Sequence, residues 1–355
     1  MVNLMKKKVA VAMSGGVDSS ITAAILLYRG FEVVGVTMWL EDEEFNEKSC
    51  CSSREVQDAK AVASQLGIVH YVADFRKIFR TEIENYFVAE YLRGRTPNPC
   101  VKCNKKIKFG KLFDFAKFIG ADYLATGHYA RIVFEDDRFK LKKGIDIKKD
   151  QSYVLYNLTV ENLSKIIFPL GEMSKSETRE LAESLKLSVA NKPDSQEVCF
   201  IPNNDYKDFI SRRADNVDAL KPGEIVDTAG KVLGRHNGVA NYTIGQRKGL
   251  GIAAECPLYV VRLDVEKHQV IVGKSDELFS DELTAEDVHW IYSPKNFPAK
   301  LQAKIRYGFR VADCTVESFD DNLRVKFFEP QRAITKGQSI VFYDGEEVLG
   351  GGVIG

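Results

Sequence analysis

The sequence predicts an α/β protein: a doubly wound parallel sheet over residues 1–205, then a small β-rich region and a C-terminal β-barrel. Three observations carry this. Short apolar runs alternate with helix-length amphipathic patterns up to about residue 126, and the first of those runs feeds directly into a glycine-rich turn. After Ala299 no helix-length pattern interrupts a series of short β-like runs. Strands separated by helices of this length imply parallel βαβ units. Such sheets bind ligands at the carboxyl ends of their strands.

Val9–Met13 reads as a strand, Asp18–Arg29 as a helix and Phe31–Trp39 as a valine-rich second strand. Arg54–Leu66 has apolar residues at helical spacing, Val69–Ala73 is strand-like, and Phe75–Leu92 reads as one long amphipathic helix. Lys105–Phe118 is helical and Asp122–Thr126 a short buried strand. The pattern changes near residue 205. Pro222-Gly223 opens a glycine-dense stretch with β-like runs Glu224–Asp227, Tyr259–Asp264 and Val270–Gly273. The last region contributes Leu301–Tyr307, Ala312–Phe319, Leu323–Phe328, Ser339–Tyr343 and Glu347–Ile354. The expected domains are therefore 1–205, 206–275 and 281–355, the last two joined near Ser275–Leu283, with no internal repeat.

The bulk properties narrow the class. A chain of 355 residues exceeds one ordinary core, and 45% hydrophobic with 28% charged residues is ordinary globular composition. No apolar run approaches the roughly 20 residues that span a bilayer, and Val9–Met13 is too short for a signal-peptide core, so a cytoplasmic location is expected. Seven cysteines, an odd number in such a chain, argue against a disulfide framework. Net charge is zero, yet residues 101–119 carry six lysines against Asp114, and residues 138–149 carry six cations against Asp146. Lys300, Lys304, Arg306 and Arg310 form a third cluster without an acid. Each alone reads as a solvated face; together they point toward a polyanion.

The run Ala12-Met13-Ser14-Gly15-Gly16-Val17-Asp18-Ser19-Ser20 holds the strongest signal. Paired glycines let successive backbone N–H groups converge on one anion, and the following helix adds its positive dipole end. Ser14, Ser19 and Ser20 offer hydroxyl donors. A kinase-type P-loop needs a lysine that this loop lacks, so the pattern suits a pyrophosphate better than γ-phosphoryl transfer.

A second signal is Thr96-Pro97-Asn98-Pro99-Cys100-Val101-Lys102-Cys103-Asn104. Two prolines fix a turn and Asn104 can cap the next helix, placing Cys103 near a helix N-terminus among lysines, where a depressed thiol pKa is expected. Cys100 and Cys103 also read as a redox pair or half a metal site; structural zinc lacks a second Cys-x-x-Cys or a His pair. Cys199, in Lys192-Pro193-Asp194-Ser195-Gln196-Glu197-Val198-Cys199-Phe200, reads equally as a buried small hydrophobe or a reactive thiol. The segment around it is expected to be mobile. Cys50, Cys51, Cys256 and Cys314 are expected to be structural. Gly127-His128-Tyr129 follows a strand at the sheet's ligand edge, and Lys149-Asp150-Gln151-Ser152-Tyr153 is a polar knot opening a helical stretch.

Taken in order, the Ser14–Ser19 loop, Asn98–Phe109, Ala125–Tyr129, Lys149–Tyr153, Val198–Phe200, Arg306-Tyr307 and Gly337-Gln338-Ser339 resemble the bacterial tRNA-specific 2-thiouridylases, within the N-type ATP pyrophosphatases that carry a PP-loop. The resemblance runs from about residue 8 to the end; the first loop alone is shared with other ATP pyrophosphatases. It implies ATP- and Mg2+-dependent sulfur transfer to C2 of the wobble uridine, U34, in tRNA(Lys), tRNA(Glu) and tRNA(Gln), with release of AMP and pyrophosphate. It places ATP on Ala12–Ser19, with Met38 and Gly127 against adenine and ribose. It makes Cys199 the carrier of a persulfide, supplied by a sulfur-relay protein or cysteine desulfurase. Cys103 becomes the second thiolate, attacking the activated carbon or resolving the persulfide as a disulfide. Asn98, Pro99 and Cys100 would line the target base, and His128, Lys149, Asp150, Gln151, Arg306, Tyr307 and Gln338 would contact tRNA.

Many members of that family have aspartate where this chain has Cys100. Cys100, Cys103 and Cys199 therefore also read as three ligands of a [4Fe–4S] cluster. The competing functions are another PP-loop adenylating enzyme and a non-catalytic tRNA-binding module. An amidotransferase would need a glutaminase block, a 4-thiouridine synthetase its own RNA-binding or rhodanese extension, and neither is visible. A non-catalytic module leaves the intact loop without a purpose.

Overall fold

The structure, a computed structural model, describes residues 6–41, 53–194, 198–214 and 218–355. The chain forms two compact units: Met1–Ile83 with Cys100–Asn204 and Glu346–Val348, and Glu84–Pro99 with Asp205–Gly345 and Leu349–Gly355.

The first unit holds β1 (Lys8–Ala12), β2 (Glu32–Trp39), β3 (Val69–Asp74), β4 (Tyr123–Ala125), the hairpin β5 (Ala130–Glu135) and β6 (Arg138–Lys143), and β7 (Ile166–Ile167). The sheet runs β3-β2-β1-β4-β7, with every pairing parallel. β1 therefore has β2 on one side and β4 on the other, which makes its carboxyl end the switch point of a doubly wound sheet. Val9, Ala10 and Val11 are wholly buried, as a central parallel strand covered on both faces requires. The helix Val17–Tyr28 packs on β1 and β2, and against the helices Ser53–Leu66 and Lys175–Ser184. Ile21 and Leu26 from it join Val9, Val11, Val62 and Leu170 in one core.

Two helical expectations change. Phe75–Leu92 is not one regular helix: Arg76–Phe79 and Asn85–Leu92 are α-helical, separated by a wide π-type turn at Arg80–Glu84. The helix expected from Lys105 starts at Pro99, runs through Cys103, widens at Asn104–Lys111 and continues as Leu112–Phe118. Proline at a helix start leaves no donor unsatisfied. Asn104 is consequently not a cap; its amide donates to the Val154 carbonyl at 2.9 Å. The hairpin β5–β6 has no counterpart among the sequence expectations, and the stretch after Lys149 opens only a short 3-10 turn, Ser152–Leu155.

The second unit contains β8 (Gly223–Asp227), β9 (Val232–His236), β10 (Tyr259–Asp264) and β11 (Gln269–Gly273) in the order β10-β11-β8-β9. Ile225, Val260, Val270 and Val272 form its core. Six further strands, β12 (Phe279–Trp290), β13 (Ala299–Lys304), β14 (Ala312–Phe319), β15 (Asn322–Arg332), β16 (Ser339–Asp344) and β17 (Glu347–Ile354), run β12-β15-β14-β13-β16-β17. β12 also pairs with β17, closing a barrel filled by Ala285, Cys314, Val316, Val325 and Phe342. The segment read as a joint at Ser275–Leu283 includes the start of β12, a strand with no counterpart among the sequence expectations; four exposed residues precede Leu283, leaving no alternation to read. The strand expected to reach Tyr307 ends at Lys304.

Candidate active site

β1 ends at Ala12, and Met13 N–H donates to Val36 O at 2.9 Å, so the loop leaves the sheet at the switch point. Met38, 9% exposed, lies farther along the neighbouring β2. Gly15 has φ +68°, and a Cβ there would overlap the Glu55 carbonyl, so only glycine fits. Gly127 is equally constrained: a Cβ would stand 2.9 Å from Asp18 C and 3.0 Å from Ser19 N. The turn after β4 thus presses directly on the start of the helix. Gly16 is the N-cap in extended conformation, and no side chain caps that helix. The first-turn N–H groups of such a helix are donors suited to an anion.

Ser14 N–H donates to Ser19 Oγ at 3.1 Å, while Ser19 Oγ donates to Gly16 O at 3.2 Å. Ser20, expected as a ligand donor, is wholly buried and donates to Gly16 O at 2.8 Å; its role is internal.

The loop itself has no lysine, but the fold supplies two from elsewhere. Lys175 Nζ lies 2.7 and 2.9 Å from the two carboxylate oxygens of Asp18, and 2.9 Å from Asp194 Oδ1. Lys192 Nζ donates to Gly15 O at 3.1 Å and pairs with Asp58 at 2.8 Å and Glu55 at 3.4 Å. Tyr129 Oη, 2.9 Å from Asp18 Oδ1 and 3.1 Å from Thr178 Oγ1, completes the surround of Asp18. Burial raises the Tyr129 phenol, and the Asp18 charge pushes it further. Asp194 also accepts from Lys149 at 2.8 Å and Arg179 at 2.5 Å. Partial burial works against its ionisation, but the hydrogen bonds from Lys149 and Lys175 and their charges prevail, holding the carboxyl far below its usual range. Ser174 and Glu177 form a reciprocal capping box, which fixes Lys175 at the first helical position, though nothing local in the sequence ties it to Asp18.

None of the three cysteines of interest is disulfide bonded. Cys103 is buried, Cys100 exposed and Cys199 half-buried. The depressed pKa expected for Cys103 is not found. Burial pushes its thiol up to about 12, against the opposing Lys108 ammonium, and the neighbouring Cys199 and Cys100 push the same way. Cys100, accessible but hemmed in by protein, is raised to about 11, with Cys199 again a neighbour and Lys108 opposing. Cys199, distant in sequence, thus shares one neighbourhood with Cys100 and Cys103, facing Lys108. Ser195, Gln196 and Glu197, in the segment expected to be mobile, lie outside the described residues, as do Cys50 and Cys51. Cys256, expected to be structural, is exposed.

Among the described residues no group of three or more His, Cys, Asp or Glu side chains is arranged to hold a metal ion. The three thiols as placed do not form a ligand set for an iron–sulfur cluster.

The residues expected on tRNA have varied surroundings. His128 is buried; its Nδ1 lies 2.6 Å from Thr126 Oγ1 and its ring packs between Phe109 and Phe168. Burial, then Lys108, holds the imidazole neutral. Asp150, also buried, accepts from Gly144 N–H, Ser152 N–H and Ser152 Oγ, so it ties a turn. Gln151 Oε1 accepts from Tyr129 N–H at 3.1 Å. In the second unit Arg306 donates to Thr335 Oγ1 at 2.7 Å and Tyr307 is 42% exposed. Gln338 Nε2 donates to Thr96 O at 2.8 Å and Pro97 O at 3.4 Å, clasping the turn that leads into half-buried Asn98 and buried Pro99.

The basic run at 138–149 is largely neutralised by acids outside it. Arg138 pairs with Glu347, Lys140 with Asp136 and Lys142 with Glu135, while Lys149 pairs with Asp194.

Three family models cover almost all of the chain. One described as a tRNA methyl transferase HUP domain matches residues 7–203, its PRC-barrel domain matches 207–274, and an aminomethyltransferase beta-barrel domain matches 280–354. The tRNA-specific 2-thiouridylase MnmA of Acetivibrio thermocellus is 50% identical, over 99% of this chain and 100% of that protein. The chain belongs to the tRNA-specific 2-thiouridylase family. Another 2-thiouridylase, from Carboxydothermus hydrogenoformans, is 51% identical over 98% of each chain, and one from Clostridium acetobutylicum is 48% identical over 99% of this chain and 100% of that one. Among the described residues no helix is long and apolar enough to cross a membrane.

Proposed function

We propose that this chain is an ATP-dependent tRNA-uridine 2-sulfurtransferase that thiolates C2 of U34 in tRNA(Lys), tRNA(Glu) and tRNA(Gln). The observation that carries the reading is the convergence of Cys103 and Cys199 on one neighbourhood, in a unit that also bears the uncapped loop at its switch point. Family membership supports it, since thiolation needs both an activating nucleotide and a nucleophilic sulfur. In this reading residues 1–205 form the catalytic domain, 206–275 a small central domain and 281–355 a barrel that meets tRNA.

Uridine O2 is a poor leaving group until adenylated. O2 attacks the α-phosphorus of ATP, held by Ala12–Ser19 with Met38 and Gly127 at the nucleoside, and pyrophosphate departs. The terminal sulfur of a Cys199 persulfide, supplied by a relay protein or cysteine desulfurase, then attacks C2. The C2–O2 bond breaks and AMP leaves. Cys103 attacks Sγ of Cys199, the bond to the transferred sulfur breaks, and 2-thiouridine is released with a Cys103–Cys199 disulfide that an external dithiol reduces. If Cys103 instead resolves the persulfide first, the freed hydrosulfide attacks C2 and the same disulfide remains. The buried Cys103 proton must leave before attack, and Lys108 is the cation that favours its departure. Asn98, Pro99 and Cys100 line the flipped base; unstacking from an anticodon loop costs only a few kcal/mol. Lys149, Arg306 and Tyr307 meet the tRNA directly, and His128, Asp150, Gln151 and Gln338 act from the positions they hold. Asp18, already paired with an ammonium, is the carboxylate that would hold a magnesium ion together with phosphate oxygens; the ion would offset phosphate charge.

The test is transfer of radiolabelled sulfur from cysteine, through a cysteine desulfurase, to purified tRNA with ATP present. Wild type incorporates label at U34 and Cys199→Ala does not. Equal labelling by Cys199→Ala sinks the persulfide assignment. Binding of tRNA without tRNA-dependent pyrophosphate release favours the non-catalytic module, and a persistent iron-bearing chromophore in anaerobically purified protein, lost in Cys100→Ala, favours the cluster.

A further inference from the structure

We propose that Lys175 is the phosphate-recognising cation of the nucleotide loop, supplied by a different helix, and that Asp194 is its positioning residue. This rests on the reading that ATP occupies Ala12–Ser19.

The geometry is specific. The Lys175 ammonium is only 11% exposed, and it is engaged by both oxygens of Asp18 and by Asp194. Asp18 is a first-turn residue of the uncapped helix, so the ammonium lies beside the donors that an anion would meet. Its backbone is fixed by the Ser174–Glu177 capping box, and Lys175 N–H is further tied to Asp146 Oδ2 at 3.0 Å. Lys192 also touches the loop but faces two acids, Glu55 and Asp58, and so contributes no net positive charge. Around Lys175 the balance is reversed. At the ammonium, the side chains of Lys175, Lys149 and Arg179 outnumber those of Asp18 and Asp194, with Asp194 shared among all three cations and Asp146 held by the Lys175 N–H instead. An arriving polyphosphate completes that balance. Lys175 can exchange a carboxylate for a phosphate oxygen by side-chain rotation, while Asp194 keeps Lys149 and Arg179. Asp194 therefore competes with the nucleotide for Lys175 and also aims it.

These roles give opposite signs for two variants. Lys175→Ala should weaken equilibrium binding of ATP and of inorganic pyrophosphate by about tenfold or more, the scale of one charge-assisted hydrogen bond, while adenosine binding stays within twofold. Asp194→Asn should tighten ATP binding, because the competing charge is gone, yet lower kcat for tRNA-dependent ATP–pyrophosphate exchange. Lys175→Arg should recover part of the ATP affinity. Equal weakening of ATP and adenosine in Lys175→Ala, or no weakening at all, overturns the phosphate assignment. Weaker ATP binding in Asp194→Asn overturns the positioning role. A wild-type protein that binds adenosine but not ATP defeats the nucleotide reading itself, and is distinguishable because it requires no variant.

Discussion

Cys103 and Cys314 are both buried thiols, and both are pushed up to about 12 by burial, yet their surroundings differ in kind. Cys314 is wholly enclosed in the barrel core, its Sγ within 3.5 Å of the Leu301 carbonyl, and the Asp313 charge discourages ionisation further. Cys103 lies in a helix that widens immediately after it, faces the Lys108 ammonium and has two other thiols as neighbours. Acidity alone does not separate a packing sulfur from a reacting one. What distinguishes the thiol we propose to react is that a cation and a partner sulfur are in place to receive the charge and the bond.

The largest effects should follow that division. Cys103→Ala or Cys199→Ala should reduce tRNA thiolation by about a thousandfold or more, as loss of a nucleophile does. Cys314→Ala should leave the turnover rate within about threefold and instead cost roughly 1–2 kcal/mol of stability through the void it leaves. Thiolation kinetics with urea unfolding of the same three variants decide the matter. A Cys314→Ala protein that is fully folded but inactive breaks the comparison.

Next in size is the loop. Gly15→Ala must place a Cβ on the Glu55 carbonyl in a left-handed conformation, so ATP affinity should fall by about a hundredfold while tRNA affinity is retained. Equilibrium binding of each ligand tests this; an undiminished ATP affinity shows that the loop can adopt another conformation.

A smaller effect sharpens the role of Lys108. Because burial raises Cys103 to about 12, its alkylation in the free protein should be slow near neutrality and climb about tenfold per pH unit between pH 7 and 9.5. Lys108→Met removes the cation that favours the thiolate and should slow alkylation several-fold at every pH, measured peptide by peptide by mass spectrometry. Free-thiol reactivity of Cys103 at pH 7.5 contradicts the burial argument.

How much of this could be read beforehand depended on whether the cause was local. The strand–glycine–helix junction was legible because β1, Gly15 and the helix start act within a few residues of each other. The acidity of Cys103 was misread because Lys102, Lys105 and Lys106 are adjacent in sequence, whereas burial is a property of the whole unit. The helix begins at Pro99, placing the sulfur inside, where desolvation outweighs nearby charge. Lys175 and Lys192 went unrecognised at the loop for the same reason, being about 160 residues or more away from it along the chain. The excess at 138–149 is smaller in the structure than along the sequence because its counter-charges, Glu135, Asp136 and Glu347, lie outside that stretch.

The smallest effect concerns Glu55, whose carbonyl presses on Gly15 and whose side chain shares Lys192 with Asp58. Burial raises its pKa to about 7, outweighing the Lys192 charge, and its Oε2 lacks a hydrogen-bond partner. A folded-state value above the unfolded one means that the native protein binds the proton more tightly. The protonated carboxyl is therefore tolerated fully below about pH 4.5, and stability declines as pH rises toward 7. Glu55→Gln removes that titration. Relative to wild type its stability should rise across this window, by at most about 3 kcal/mol, and level off above it. Urea unfolding at half-unit pH steps measures the difference curve. A difference that is flat with pH places Glu55 in contact with water, and with it the back wall of the nucleotide loop.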